Sequence, residues 1–185
     1  MNVTELDLPG VLLIEPDVYG DDRGFFLETY SARRYAAAGI TADFVQDSVS
    51  QSRRGVVRGL HFQRPNDQAK LVQTPEGAVF DVVVDIRVGS PHFGRWVSAR
   101  LTADNKHQLF VPAGFAHGVC TESDVALFSY KTGDYYAPAH EYTIRWNDPD
   151  LAIDWPVTAP ILNDKDAAAP ALKDFPPGKL PVFTI

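Results

Sequence analysis

A single cysteine, Cys120, leaves no internal disulfide possible, so the fold must be held by burial and hydrogen bonding rather than by cross-links. Long apolar runs are missing too: none approaches the roughly 20 residues that span a bilayer. The N-terminal stretch Met1-Asn-Val-Thr-Glu-Leu-Asp-Leu-Pro9 has no basic segment followed by an apolar one. These absences predict a cytoplasmic protein with no membrane partner. Basic residues are in deficit, with 17 Lys and Arg against 24 Asp and Glu and a formal charge of -7, which argues against a general nucleic-acid surface. An anionic ligand would need a local basic site.

What is present is core material. The 185 residues are 45% hydrophobic and 11% aromatic, enough for one sizeable core, so residues 1–185 are expected to form a single domain. Short apolar runs alternate with Gly, Pro, Asn and Asp signals: 11–14, 25–30, 44–51, 56–63, 70–74, 78–87, 96–101, 108–111, 118–121 and 126–131. This is an all-β pattern of sandwich or jelly-roll type. In the run 78–87, period-two spacing puts Phe80, Val82, Val84 and Ile86 on one face. Asp81, Val83, Asp85 and Arg87 fall on the other, which is expected to line a polar cavity. Ser31 is placed to cap one short N-terminal helix that Gly39 stops. Beyond Asn147, prolines at 149, 156, 160, 170, 176, 177 and 181 predict a tail of loops and short helical turns wrapped over the sheets.

Three stretches carry chemistry. Gly55-Val-Val-Arg-Gly-Leu-His-Phe-Gln63 plants Arg58 and His61 in an apolar strand, Gln68-Ala-Lys-Leu-Val-Gln73 does the same with Lys70, and Val111-Pro-Ala-Gly-Phe-Ala-His-Gly118 brings His117 just past a turn. A base, a cation and a second histidine on separate strands suggest a site inside the β-structure. Strict alternation would put Arg58 and His61 on opposite faces. If both serve one ligand, Gly59 should mark a bulge. His92, His107 and His140 sit in polar or turn contexts and read as solvated side chains.

The spacing resembles the cupin signature, a His-x-His with a downstream Glu and Gly, then Pro-x-Gly-x-x-His. Here Gln63 replaces the second histidine, Lys70 stands near the glutamate position, and Pro112-Ala-Gly-Phe-Ala-His117 keeps the second half. A lysine there would repel a cation, so the expectation is a cupin-type jelly roll (double-stranded β-helix) with no catalytic metal.

Taken whole, the chain resembles the dTDP-4-dehydrorhamnose 3,5-epimerase family. The likeness rests on Asp22-Arg-Gly24 with Phe25 and Glu28, Gln46-Asp47-Ser48, Arg58-Gly-Leu-His61, Gln68-Ala-Lys70, Phe80 to Arg87, Ser90-Pro-His-Phe-Gly94, Pro112 to Gly118, Tyr130-Lys131, Trp146-Asn-Asp-Pro149 and Lys165-Asp166. Ser48 departs from the family's usual Asn, and Val57 from the common Leu. The resemblance implies inversion of C3 and C5 of a 4-keto-6-deoxyhexose carried on dTDP, with no cofactor. It implies His61 as base, Asp166 as its partner, Lys70 as oxyanion partner and Tyr130 as acid on the opposite face of the sugar. It also implies substrate-binding roles for Arg23, Arg58 and Lys165 at the diphosphate, for Phe25, Glu28, Gln46, Asp47, Ser48, Tyr136 and Glu141 along the nucleotide, and for Asp81 and His117 in the polar wall. The family is homodimeric, its N-terminal segment (Arg23 to Glu28 here) completing the neighbour's site. Chemically, a proton next to a ketone can be removed when a base is in reach and the enolate oxygen meets a preorganised donor. A 3- or 5-monoepimerase, a ketoisomerase and a non-catalytic sugar-binding cupin remain as alternatives.

Overall fold

The computed structural model describes every residue except Pro177 and Ile185, so the tail prediction at Pro177 lies outside the described residues. In chain order the elements are β1 (Asn2–Glu5), β2 (Leu12–Glu15), β3 (Val18–Asp21), β4 (Gly24–Leu27), α1 (Ala32–Ala37), β5 (Gln46–Arg53), β6 (Val57–Gln63), β7 (Lys70–Glu76), β8 (Ala78–Asp85), β9 (Trp96–Thr102), β10 (Gln108–Val111), β11 (Phe115–Thr121), β12 (Val125–Thr132), β13 (Glu141–Thr143) and α2 (Asp164–Ala167). They form the expected jelly roll. A six-stranded sheet in the order β1-β2-β10-β7-β12-β5 faces a five-stranded sheet in the order β13-β6-β11-β8-β9, and β3-β4 stands apart as a hairpin.

Alternation along the strands divides the apolar residues into three layers. Between the sheets lie Val72, Val79, Val83, Leu101, Leu109, Phe115, Val119 and Phe128. The outer face of the five-stranded sheet presents Val57, Leu60, Phe62, Phe80, Val82, Val84 and Ile86, and the Pro-rich tail covers it with Leu151, Trp155, Leu172 and Leu180. On the outer face of the six-stranded sheet, Ile14, Leu71 and Phe110 pack against Tyr35 and Ile40 from the α1 region. The five-stranded sheet is thus covered on both faces, while the six-stranded sheet is covered on its outer face around β2, β7 and β10 and left open along β5, where Val49 is exposed.

Several local expectations need correction. Ser31 stands at the N-cap of α1, but its side chain makes no cap hydrogen bond. The helix ends where predicted, with Gly39 at φ +91°. Pairing with β3 ends β4 at Leu27, short of the predicted Tyr30. The short strands β1, β3 and β13 have too little periodicity to read from sequence. The second face of β8 does not line a polar cavity: Val79 and Val83 belong to the core between the sheets, and Asp85 is fully buried, accepting from Arg87 and Ser90. Asp81 alone on that face supports the polar site, through His117. No helix among the described residues is long and apolar enough to cross a membrane.

Candidate active site

At one end of the space between the sheets, polar side chains replace apolar ones and leave a cleft of about 370 Å³. That volume is in the range of small-molecule sites. Alternation selects its walls. The six-stranded sheet contributes Gln46, Ser48 and Ser50 from β5, Lys70 from β7, and Phe128, Tyr130 and Thr132 from β12. Arg58, His61 and Gln63 from β6, with His117 and Val119 from β11, line the opposite wall.

Arg58 and His61 share that wall because β6 bulges. His117 pairs with His61 and Val119 with Arg58, so two steps on β11 oppose three on β6. The extra residue reverses the alternation between Arg58 and His61. Gly59 sits in the irregularity at φ +126°, where a Cβ would lie 2.5 Å from the Gly118 Cα and 2.7 Å from the His117 carbonyl oxygen. No other residue fits there.

Each histidine is tied to a buried carboxylate. His61 Nε2 is 2.7 Å from Asp166 Oδ1, and the Gly59 N–H donates to Asp166 Oδ2 at 3.3 Å. Asp166 is fully buried because Asn163 caps α2, accepting from the Asp166 N–H at 2.7 Å and turning that side chain inward. As the carboxylate accepts the Nε2 proton, Nδ1 of His61 is left as the free basic nitrogen. His117 Nε2 lies 2.8 and 2.9 Å from the two Asp81 oxygens, and its ring stacks on Phe128. Burial pushes the Asp81 carboxyl up, with His117 and then Lys70 opposing. Lys70 is held by charge alone: desolvation pulls its pKa down to about 8, while Glu141 and Asp81 partly counter the shift.

Toward the rim, Tyr136, Glu141 and Lys165 form a chain. The Tyr136 hydroxyl donates to Glu141 Oε2 at 3.0 Å, and Lys165 Nζ bonds the same oxygen. The Tyr136 N–H donates to Gln46 Oε1, and Gln46 Nε2 to Ser48 Oγ. Burial, then the bond to Glu141, raises the Tyr136 pKa. Arg58 donates to Ser52 Oγ and the Gln51 carbonyl.

Ten of the sixteen residues singled out from sequence thus line one cleft: Gln46, Ser48, Arg58, His61, Lys70, His117, Tyr130, Tyr136, Glu141 and Lys165. Asp81 and Asp166 stand behind the two histidines with no exposed surface, so Asp81 is corrected from a substrate contact to a support for His117. Asp47 is also corrected as a contact in this cleft. Alternation sends it to the outer face of β5, where it accepts from Lys131 at 2.9 Å. Arg23, Phe25 and Glu28 do not reach this chain's own cleft. Arg23 pairs with Asp21 and Glu28 with Arg34, while Phe25 and Phe26 are 62% and 69% exposed on the hairpin. Ser50, Phe128, Thr132 and Val119 were missed, although each lies two residues from an assigned one on the same strand. Asn163 needed the capping pattern to be noticed.

The four positions that hold a metal in cupins are occupied here by His61, Gln63, Lys70 and His117. This set does not fit a metal: both histidines are committed to carboxylates at Nε2, the Gln63 amide is bonded to backbone groups, and Lys70 is a cation. No group of three or more His, Cys, Asp or Glu side chains among the described residues is arranged to hold one. A carboxylate-held histidine facing a tyrosine and an ammonium is an arrangement suited to moving protons on carbon, and on this jelly roll it points to a cupin-type isomerase. The family model of dTDP-4-dehydrorhamnose 3,5-epimerase matches residues 5–174, and the chain belongs to that family. It is 54% identical over 176 residues to the dTDP-4-dehydrorhamnose 3,5-epimerase of Pseudomonas aeruginosa, covering 94% of this chain and 97% of the relative. The crystal structure of a dTDP-6-deoxy-D-glucose-3,5-epimerase from Legionella pneumophila, in complex with dTDP-4-keto-L-rhamnose, superposes with a TM-score of 0.97 at 48% identity, covering 100% of this chain and 99% of that one. A 3'-monoepimerase from Streptomyces bikiniensis, in complex with dTDP-quinovose, superposes with a TM-score of 0.90 at 36% identity, over 96% and 91% of the two chains.

Proposed function

We propose that this enzyme epimerises dTDP-4-dehydro-6-deoxy-D-glucose at C3 and C5 to dTDP-4-dehydro-L-rhamnose, as a step of deoxysugar formation, using its own side chains for the proton transfers. The observation that carries this reading is the opposition of His61, backed by Asp166, to Tyr130 on the facing sheet, with Lys70 beside the tyrosine's strand in the same cleft.

The hexose lies between the two sheets with its C4 ketone toward Lys70. His61 Nδ1 takes the proton from C3 or C5, and Asp166 stabilises the imidazolium that forms. The ammonium of Lys70, poorly solvated and so strongly felt, stabilises the enolate oxygen. Tyr130 returns a proton from the other wall, which inverts the carbon. A base of this kind contributes roughly 10²–10⁴-fold, and loss of an oxyanion donor costs roughly 2.7–4 kcal/mol. Neither suffices alone. The diphosphate meets Arg58, whose guanidinium fork suits phosphate oxygens, and Lys165. Thymine stacks on Tyr136, with Gln46, Ser48 and Glu141 along the nucleotide.

This chain works as a homodimer in which the β3-β4 hairpin brings Arg23, Phe25 and Glu28 to the neighbour's cleft. The aromatic tip of the hairpin supports this arrangement, because Phe25 and Phe26 stay 62% and 69% exposed even with Lys106 over the Phe25 ring, and an edge strand as long as β5 invites cover. Mixing Arg23→Ala and His61→Asn dimers and allowing exchange should restore activity through hybrid sites. No recovery with proven heterodimers refutes the shared site.

The reaction itself is tested by supplying the keto sugar in D₂O and locating deuterium by NMR. Deuterium at both C3 and C5 with L-configured product is expected, and deuterium at C3 alone would make the chain a monoepimerase. In Tyr130→Phe, wash-in should persist while inversion slows more, because the base can return a deuteron to the face it came from. Equal loss of both would move Tyr130 into enolate formation.

A further inference from the structure

Gln63 occupies a wall of the cleft yet offers the ligand little. Its side chain belongs to a residue only 3% exposed, and both amide protons are spent, on the Asn66 carbonyl at 3.0 Å and the Tyr135 carbonyl at 3.2 Å. Its oxygen accepts the Ala137 N–H at 2.8 Å. The two loop contacts bracket Tyr136: one grips the residue before it, the other the residue after. Gln46 accepts the N–H of Tyr136 itself, at 3.0 Å. The backbone of Gln63 is also the register partner of Glu141 on β13, and Glu141 accepts the Tyr136 hydroxyl. The Gln63 side chain therefore holds the backbone on either side of an aromatic residue that is otherwise half in solvent, at 53% exposure, while Glu141 holds its hydroxyl. Around it the loop is anchored further by Gln68 Nε2 and Thr132 Oγ1, which both donate to the Asp134 carbonyl.

The geometry points to Gln63 as a positioning residue for nucleotide recognition, holding the loop 133–140 so that Tyr136 meets the base in a fixed pose. This rests on the reading of Tyr136 as the base-stacking residue. A buried amide with every proton paired is costly to disturb, and a loop ordered before the ligand arrives loses less freedom on binding. The effect should therefore fall on binding and leave the proton transfers at His61 and Tyr130 alone.

The test uses dTDP as probe, with affinity by calorimetry and turnover on the keto sugar, in Gln63→Ala, Gln63→Met, Tyr136→Ala and the Gln63→Ala/Tyr136→Ala double variant. Each Gln63 variant should weaken dTDP binding and raise KM about tenfold, with kcat changed by less than about threefold. In the Tyr136→Ala background, Gln63→Ala should add less than about a further twofold, since the group it positions is gone. Additive losses, an unchanged Kd, or a fall confined to kcat would overturn the proposal. So would failure of both Gln63 variants to fold, which would make Gln63 a fold determinant. If Tyr136→Ala leaves dTDP affinity unchanged, the nucleotide reading of the cleft falls and this inference with it; if Tyr136→Ala weakens binding and Gln63 variants do not, only the inference falls.

Discussion

Replacing Asp166 by asparagine removes one charge and almost no volume. The carboxylate accepts two hydrogen bonds, from His61 Nε2 at 2.7 Å and from the Gly59 N–H at 3.3 Å, and it is fully buried. An asparagine has one oxygen for these two donors. With the amide oxygen toward His61, the ring keeps its orientation, but the imidazolium formed on proton abstraction loses its counter-charge. A hydrogen bond to a charged group contributes about 1.5–3 kcal/mol, which is roughly 10- to 150-fold in rate. With the amide nitrogen toward His61, the ring is driven to the other tautomer, with its proton on Nδ1, where the base is needed. An equivalent change in a Ser-His-Asp hydrolase costs about 10⁴-fold. Turnover by Asp166→Asn should therefore fall between roughly 10- and 10⁴-fold, and deuterium wash-in at C3 and C5 should fall with it. Asp166 does not line the cleft, so dTDP affinity should change less than about threefold. The assay pairs single-turnover kinetics with calorimetric dTDP binding and a melting curve. A folded variant that binds dTDP and keeps kcat within about fivefold of the parent would refute the claim that Asp166 tunes the base.

Lys70 and Gly59 each have testable consequences from the same geometry. An oxyanion role requires Lys70 to be protonated, and its pKa in the free protein is pulled down to about 8, so kcat/KM should decline as pH rises through about 8; Lys70→Met should lose roughly 10²–10³-fold at neutral pH. In stability the sign is opposite: the folded protein releases this proton near 8 and the unfolded chain near the ordinary 10.5, so between these values the unfolded state holds more protons and stability rises with pH. Lys70→Met should accordingly melt higher than the parent at pH 7, with the gap narrowing toward pH 10, and a gap that widens would contradict the assignment. Gly59→Ala combines a left-handed φ of +126° with a Cβ 2.5 Å from the Gly118 Cα, and should cost about 2–4 kcal/mol by denaturant melts; a loss under about 0.5 kcal/mol would mean the bulge is not needed.

Much of this site was legible in the order of residues because the signals are local. The family motif carried Gln46 and Ser48, the Gly and Pro punctuation bounded β7 to β10 and β12 while β11 starts at Phe115 rather than the predicted Gly118, and a histidine, an arginine and a lysine in apolar strands marked where chemistry displaces packing. The lone glycine between Arg58 and His61 marked where the alternation would break if both side chains served one ligand. Local residue patterns could not state which distant groups meet; the pairing of His61 with Asp166 was implied by the family resemblance alone. Asp166 finds His61 across 105 residues, and only the docking of the tail on the five-stranded sheet, with Asn163 capping α2, turns a charged Asn-Asp-Lys-Asp stretch into a buried partner. Asp47 and Ser48 read as one motif, yet the pleat sends them to opposite faces, so Lys131 claims Asp47 on the outside. Gln63, by motif a substituted metal position, became the anchor of a loop some 70 residues on. Alternation is a property of the backbone and is written in the chain, whereas burial of a charge depends on which surfaces come together, and that was decided by the packed tertiary structure.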